Sequence, residues 1–143
     1  MPTATFLSNA TVNITQGVTT TDLSDQCRAV TVTVGVDPLE STAMGDTGHR
    51  FVSGLQSVEV TLEMFLSYGA TEVEAVLNSC VGTGTTTLVI SPSGTTESPT
   101  NPEYTITNAM LEGFTPISST VGELAMVTAV FTGGTWVRDV TAP

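Results

Sequence analysis

Apolar and polar residues alternate along several short segments of the chain, a pattern typical of half-buried β-strands. The clearest case is the 57–65 segment, SVEVTLEMF. Its apolar face comprises Val58, Val60, Leu62 and Met64, and its polar face comprises Glu59, Thr61 and Glu63. Because a face with two carboxylates must stay in water, we predict a strand with one side in the core and the other solvated. The 27–36 segment alternates in the same way, with valine at positions 30, 32, 34 and 36.

Six further segments predict short strands, and one segment predicts a helix. The strand segments are ATFL, TVNIT, TTTLVIS, EYTITNAMLEGF, ELAMVTAVFTGG and TWVRDV. The apolar residues at helix spacing are Val73, Val76, Leu77 and Cys80. Thr71 and Glu74 have the spacing of a capping box, and Gly82 is placed to end the helix.

These elements predict a mainly β protein, because short strands outnumber the single helix. The 143 residues suit one domain, so we predict a single domain over residues 1–143. We expect a β-sandwich or barrel-like fold with one flanking α-helix at about residues 71–81.

A long polar connection is predicted at about residues 37–53, DPLESTAMGDTGHRFVS, and it is longer than a hairpin needs. It holds the only histidine of the chain and one of its three arginines. Asp46, His49 and Ser53 are the residue types of a nucleophilic triad, but three residues on one open loop lack a buried carboxylate that would orient the base. We therefore expect a solvated loop, or more specifically a loop that docks on a partner, and not an enzyme.

The composition argues against several other classes of function. The chain has fourteen acidic residues, three arginines and no lysine, for a net charge of −11. It therefore lacks the clustered basic residues that bind DNA, RNA or anionic lipid. No apolar run reaches transmembrane length. One histidine and two distant cysteines match no zinc spacing, and we expect no cofactor or metal. The start of the chain lacks a cationic, apolar leader, so we expect folding in a cytoplasm with Cys27 and Cys80 reduced.

An ordered set of segments resembles the major tail tube proteins of long, non-contractile-tailed bacteriophages (siphoviruses), especially those infecting actinobacteria. The opening segments are FLSNATVNI and TDLSDQCRAVTV. The central ones are TAMGD, a short polar stretch with an arginine, GLQSVEVTLEM and the helix ATEVEAVLNSCVGT. The last one is SPTNPEYTITNAMLEGFTPISSTVGELAMVTAVF. Together they span nearly the whole chain. The departures are the missing lysine and a loop with only His49 and Arg50 as cations.

The resemblance implies a structural virion protein whose hexameric rings stack into a tube, the conduit for DNA ejection. It implies self-association, contacts with tape measure, tail terminator and distal tail proteins, and passage of DNA without specific binding. The location would be the virion tail, after assembly in the host cytoplasm. Residues of the long loop would form inter-subunit or inter-ring contacts: Thr42, Met44, Asp46, His49, Arg50 and Phe51. We add Glu59 and Glu63 as a candidate acidic face of the bore, since an acidic wall repels phosphates.

Three alternatives remain open at this point. One is another tail or capsid component, such as a tail terminator or a decoration protein. Another is a carbohydrate-binding or immunoglobulin-like module, for which an exposed aromatic cluster is expected, whereas most aromatic residues here lie at predicted core positions. The third is a glycosidase-like pair at Glu59 and Glu63, which a solvated strand face explains more simply.

Overall fold

The computed structural model describes residues 10–94 and 98–141, and in this part of the chain eight strands and one short helix are present. The strands are β1 (Thr11–Gln16), β2 (Thr19–Asp22), β3 (Cys27–Glu40), β4 (Phe51–Phe65), β5 (Thr86–Ser91), β6 (Glu103–Leu111), β7 (Met126–Thr132) and β8 (Thr135–Asp139). The helix is α1 (Val73–Cys80). The mainly β fold with one helix is confirmed. The predicted ATFL strand lies outside the described residues, and β2, whose sequence TTTD has no apolar alternation, was not predicted.

The strands form an antiparallel sheet in the order β2-β1-β5-β6-β7-β4-β3, with β8 paired to β6. β6 is the strand that joins the two halves of this sheet. Its first part pairs with β5 and β8, whereas its last two residues, Met110 and Leu111, pair with β7. The sheet therefore divides into one layer of β2, β1, β5, β6 and β8 and a second layer of β3, β4 and β7.

A bulge in β6 accompanies this change of layer. Thr86 pairs with Ala109, but Leu88 pairs with Ile106, so β6 has one extra residue between these pairs. Asn108 has a φ of 63°, a left-handed conformation that Asn tolerates better than most residues. Gly134 lies against this bulge, where a Cβ would meet the Thr107 carbonyl oxygen at 2.1 Å. Only glycine fits that position without moving the backbone.

One apolar core lies between the layers, and it uses the faces that alternation predicts. The predicted apolar face of β4 is buried throughout, as the exposures of Val58, Val60, Leu62 and Met64 do not exceed 6%. Helix α1 adds its whole predicted stripe, Val73, Val76, Leu77 and Cys80. The valines of β3 at positions 30, 32 and 34 pack against the core and remain half-buried.

The predicted capping box of α1 is wrong. The N-cap residue is Glu72, its side chain makes no capping hydrogen bond, and the helix begins at Val73. The Ser67 hydroxyl, on the segment that follows β4, accepts a hydrogen bond from the Val73 amide at 3.3 Å. Gly82, with a φ of 77°, follows the C-cap Val81, so the predicted end of the helix agrees with the structure.

The predicted loop at 37–53 is shorter in the structure, because both flanking strands continue into it. Residues at both of its ends belong to one antiparallel ladder, in which Pro38 pairs with Ser53 and Glu40 pairs with Phe51. The connection itself comprises residues 41–50. Alternation of buried and polar residues does not reveal these strand ends, since neither face is buried there.

Two further features concern the chain as a whole. None of the helices in the described residues is long and apolar enough to cross a membrane. Cys27 and Cys80 are free thiols, and burial raises the pKa of both, which makes the thiolate less available at neutral pH.

Candidate assembly surfaces

A β-hairpin arm, defined here as residues 36–56, extends beyond the core. β3 and β4 continue their ladder to the Glu40–Phe51 pair, yet the residues of this section are exposed on both faces. The large apolar side chains exposed on the arm are Val36, Leu39, Met44, Phe51, Val52 and Leu55. Their exposed fractions run from 42% to 104%. Several exposed apolar side chains on one short extension are typical of an interaction site.

Pairing between the strands gives the arm two distinct faces. Leu39 and Val52 are opposite each other on one face, and Glu40 and Phe51 on the other. A register shift between Val36 and Pro38 places an extra residue in β4 near Gly54. A Cβ on Gly54 would meet the Asp37 carbonyl oxygen at 2.9 Å, so this bulge depends on the glycine. Bulges twist strands and can orient an arm.

The tip of the arm, residues 41–50, is held by its own polar side chains. The Asp46 carboxylate accepts a hydrogen bond from the Ala43 amide at 2.7 Å and pairs with the Arg50 guanidinium at 3.5 Å. The Thr42 hydroxyl accepts from the Arg50 amide at 3.0 Å. Three of the sequence-predicted contact residues, Thr42, Asp46 and Arg50, thus shape the tip.

His49 is the fourth polar residue of the sequence-predicted contact set, and its imidazole Nδ1 pairs with the Glu40 carboxylate. Its ring lies 6.4 Å from that of Phe51, centroid to centroid. The Asp46 carboxylate, which a triad would require beside His49, instead pairs with Arg50, and Ser53 lies within β4. With 78% of its side chain exposed, His49 has no buried orienting group. The geometry suits a shaped contact loop.

Glu59 and Glu63 lie on the outer face of the layer formed by β3, β4 and β7. Glu59 is flanked by Thr33 and Thr132, and Glu63 by Ala29 and Thr128. The Arg28 guanidinium pairs with Glu63 at 3.1 Å, and both side chains remain largely exposed, so this ion pair adds little stability. Four residue steps along the strand place the Cα atoms of Glu59 and Glu63 roughly 13 Å apart, a wide spacing for the carboxyl pair of a glycosidase. We call this surface the acidic face.

The same layer has unpaired backbone at both of its edges within the described residues. β3 pairs with β4 on one side, and no described strand pairs with its other side. β7 pairs with β6 only at Phe131 and Thr132, which leaves the 126–130 edge without a strand partner in the part of the chain that the structure describes. Unpaired edges of this length are templates for strands of another chain.

A second apolar surface, which sequence reasoning missed, lies at the end of β4 opposite to the arm. This distal patch comprises Phe65, Tyr68, Ile117, Val121 and Leu124, with exposed fractions between 37% and 103%. Among the described aromatic residues, Phe131 is buried and three others pack against the core (Tyr104, Phe114 and Trp136), as expected of most of them, whereas Phe51, Phe65 and Tyr68 are exposed. One signal in the sequence could have indicated the patch: residues 113–122, GFTPISSTVG, contain no charged residue.

The clefts among the described residues are not lined by a set of side chains typical of a catalytic site. One cleft of about 340 Å³ lies beside β3 and is lined by Ala10, Val12, Ser24 and residues 27–30. It combines aliphatic side chains with a half-buried thiol and one arginine. Among the described residues, no group of three or more histidine, cysteine or carboxylate side chains is placed to hold a metal ion.

Comparisons with known proteins place the fold. No family model matches the chain, and no curated protein matches it. Solved structures do match over nearly its whole length. One is a chain of the PVC sheath/tube terminator of an extracellular contractile injection system in the extended state, with a TM-score of 0.66, 16% identity, and coverage of 96% of this chain and 98% of that one.

Two further structures match at lower identity. A chain of the anti-feeding prophage tube terminating cap has a TM-score of 0.63 and 11% identity, with 99% and 95% covered. A chain of the tail of an empty gene transfer agent particle, refined helically with C6 symmetry, has a TM-score of 0.56 and 10% identity, with 92% and 95% covered. This chain therefore has the mainly antiparallel β fold found in phage-like tail tube and terminator assemblies.

Proposed function

We propose that this protein is a major tail tube subunit that self-assembles into stacked hexameric rings and forms a conduit for DNA ejection. The observation that carries the proposal is the hairpin arm, which extends from a tube-type fold and exposes apolar side chains on both faces. An isolated subunit gains nothing from such an arm. A subunit in a stack can bury it against a neighbour, which stabilises the assembly by about 25 cal/mol per Å² of apolar surface.

Closure of a ring is supported by the unpaired edges of the layer that carries the acidic face. β3 and β7 lie at opposite edges of this layer. If β3 of one copy pairs with β7 of the next, each copy uses two different edges, and the contact is head-to-tail. Such a contact generates a closed ring when the rotation from one copy to the next is the angle that cyclic symmetry requires.

The acidic face is the surface that we assign to the bore. Glu59 and Glu63 are solvated and spaced along β4, and Arg28 offsets only one of them. Repeated around a ring, these carboxylates repel DNA phosphates within about one Debye length, roughly 8 Å at physiological salt. DNA then passes through without specific binding.

The tip residues act as connectors in this proposal, and the protein is not an enzyme. Met44 and Phe51 supply apolar contacts, and Thr42, Asp46, His49 and Arg50 shape the tip or supply polar ones. The exposed His49–Glu40 pair suits a surface contact better than a buried, oriented catalytic base.

The proposed setting is the virion tail of a long, non-contractile-tailed phage, after assembly in the host cytoplasm. The proposed partners are further copies of the chain and the tape measure, tail terminator and distal tail proteins. The ordered sequence resemblance supports this finer assignment, and the shared fold supports the coarser one of a tail component.

A tail terminator is the second candidate function, because the matched structures include a sheath/tube terminator and a tube terminating cap. A terminator forms one ring and does not stack indefinitely. The two functions therefore differ in whether each added ring presents an arm that can bind a further ring.

Negative-stain electron microscopy across a protein concentration series tests the proposal. We expect filaments with a central channel and six-fold end views. The matched variant replaces residues 42–49 with Asn-Gly, a turn that suits a two-residue hairpin and leaves both strands intact. It should fold normally and form no filaments. Closed single rings of the unaltered protein would support the terminator instead, and monomers at every concentration would contradict the proposal.

A further inference from the structure

We propose that the distal patch is the docking site for the arm of a second copy of this chain, in a head-to-tail contact between stacked subunits. This inference rests on the proposed function, since it names the surface that receives the arm. It assigns to Phe65, Tyr68, Ile117, Val121 and Leu124 a role that the resemblance does not supply.

The arm and the distal patch lie at opposite ends of the molecule. The arm contains the first residues of β4, whereas Phe65 is its last residue, about 45 Å further along an extended strand. The 112–125 segment is fixed at that far end by two hydrogen bonds. The Leu66 amide donates to the Ala125 carbonyl at 2.9 Å, and the Tyr68 hydroxyl donates to the Pro116 carbonyl at 2.8 Å.

Both surfaces expose more apolar area than ordinary surface residues require. Ile117 and Val121 are 81% and 103% exposed, and Leu55 on the arm is 80% exposed. No described residue packs over them. Burying one such side chain fully is worth roughly 1.5–3 kcal/mol, so covering several at once favours association.

The distribution of charge along the chain favours a second copy of this chain as the partner that binds the distal patch. The chain has a net charge of −11, so copies repel each other over most of their surfaces. Residues 51–58 on the arm and residues 65–71 and 113–122 at the distal patch carry no charged residue, as do other segments of the chain such as 29–36, 75–96 and 124–137. The 51–58 strand of the arm can therefore approach these two segments of the patch with no charged side chain of either segment in the contact.

The placement also suits continuous stacking. Each copy has one arm and one distal patch at opposite ends, so each contact leaves a free arm at one end and a free patch at the other. This is a head-to-tail interface, which grows without limit when it does not close. The matched gene transfer agent tail was refined with helical symmetry, a repeat of this kind.

A charge-swap experiment tests the contact. L55D and I117R each place an unpaired charge in the proposed interface, and we expect each to raise the concentration needed for filaments at least about tenfold. The double variant L55D/I117R places Asp against Arg at every junction and should restore assembly. Matched controls are V18D and V18R, because Val18 is 103% exposed and lies in the turn between β1 and β2, outside both surfaces.

Each outcome decides the inference. Restored filaments in the double variant, with failure of both single variants and normal assembly of the controls, support it. Single variants that assemble normally, or a double variant that fails although circular dichroism shows it folded, overturn it. Unaltered protein that forms no filaments overturns the proposed function itself, so the two failures are distinguishable.

Discussion

Ser67 holds the N-terminus of α1 in the role that the sequence spacing predicts for Thr71. Its hydroxyl accepts from the Val73 amide and donates towards the Glu72 carboxylate at 2.8 Å. The Gln26 side-chain amide donates to the same carboxylate. These contacts join the helix, the end of β4 and the connection before β3, so one polar cluster positions three elements.

Glu72 makes stability depend on pH. Hydrogen bonds from Gln26 and Ser67 lower the pKa of this carboxyl below its ordinary value, because they favour the charged form. A lowered folded-state pKa stabilises the fold above the unfolded-state value of about 4.3, and this contribution is lost as the pH falls through the folded-state value. In thermal melts of monomeric protein, Glu72→Gln should lower the Tm at pH 7, and the difference from the unaltered protein should shrink towards pH 3.

Glu74→Gln is the matched control, because its carboxylate is on the same first helical turn but takes no part in this cluster. Its melts should follow those of the unaltered protein at each pH. A difference for Glu72→Gln that stays constant across the pH range would contradict the assigned role of the ionised carboxylate.

At the scale of elements, β4 is one strand with two environments. From Val58 to Met64, every second side chain is buried in the core. From Phe51 to Gln56, both faces are exposed. The second half of the strand stabilises the subunit, and we assign the first half to contacts between subunits.

This division predicts opposite effects for two substitutions in one strand. Leu62→Ala removes a fully buried side chain and should lower the free energy of unfolding by about 3 kcal/mol. Phe51→Ala removes a side chain that is 59% exposed, so it should change that free energy by less than about 0.5 kcal/mol and still impair filament formation. Urea titration of the monomer and microscopy of the assembly measure the two effects.

The opposite pattern would refute the division of β4. If Phe51→Ala lowered the free energy of unfolding as much as Leu62→Ala, the arm would belong to the core of the subunit. Normal filaments from Phe51→Ala would remove this side chain from the proposed contact.

At the scale of the whole molecule, the acidity of the chain opposes its assembly. A net charge of −11 per copy makes association depend on ionic strength, because salt screens the repulsion between copies. Raising NaCl from about 50 mM to about 500 mM shortens the Debye length from about 14 Å to about 4 Å, and should lower the concentration at which filaments form. Sedimentation of filaments across this range measures the shift, and weaker assembly at high salt would indicate that ion pairs dominate the contacts.

The proposed bore can be located by chemical labelling of assembled filaments. With Cys27→Ser to remove the half-buried thiol, Glu59→Cys in filaments should react with a small maleimide at the channel wall. A bulky polymer-linked maleimide should label it only after the filaments are dissociated. Equal labelling of intact filaments by both reagents would place the acidic face on the outside.

Local sequence patterns were enough to predict the elements that have one buried face and one solvated face. Alternation in β4 and the helical spacing of α1 identify buried faces, because burial selects apolar residues at a fixed period. The acidity and the absence of lysine follow from composition alone. These local patterns sufficed for the fold class and for the core face of β4.

The arm, by contrast, is a feature that strand pairing reveals and the sequence pattern does not. The ends of β3 and β4 pair without burying either face, so no periodicity of apolar residues marks them, and the sequence alone predicts a polar loop at residues 37–40 and 51–53. The cap from Ser67 and the distal patch join residues that are separated in sequence. Such contacts depend on how the strands pair and how the layers pack, which a local pattern of residue types does not encode.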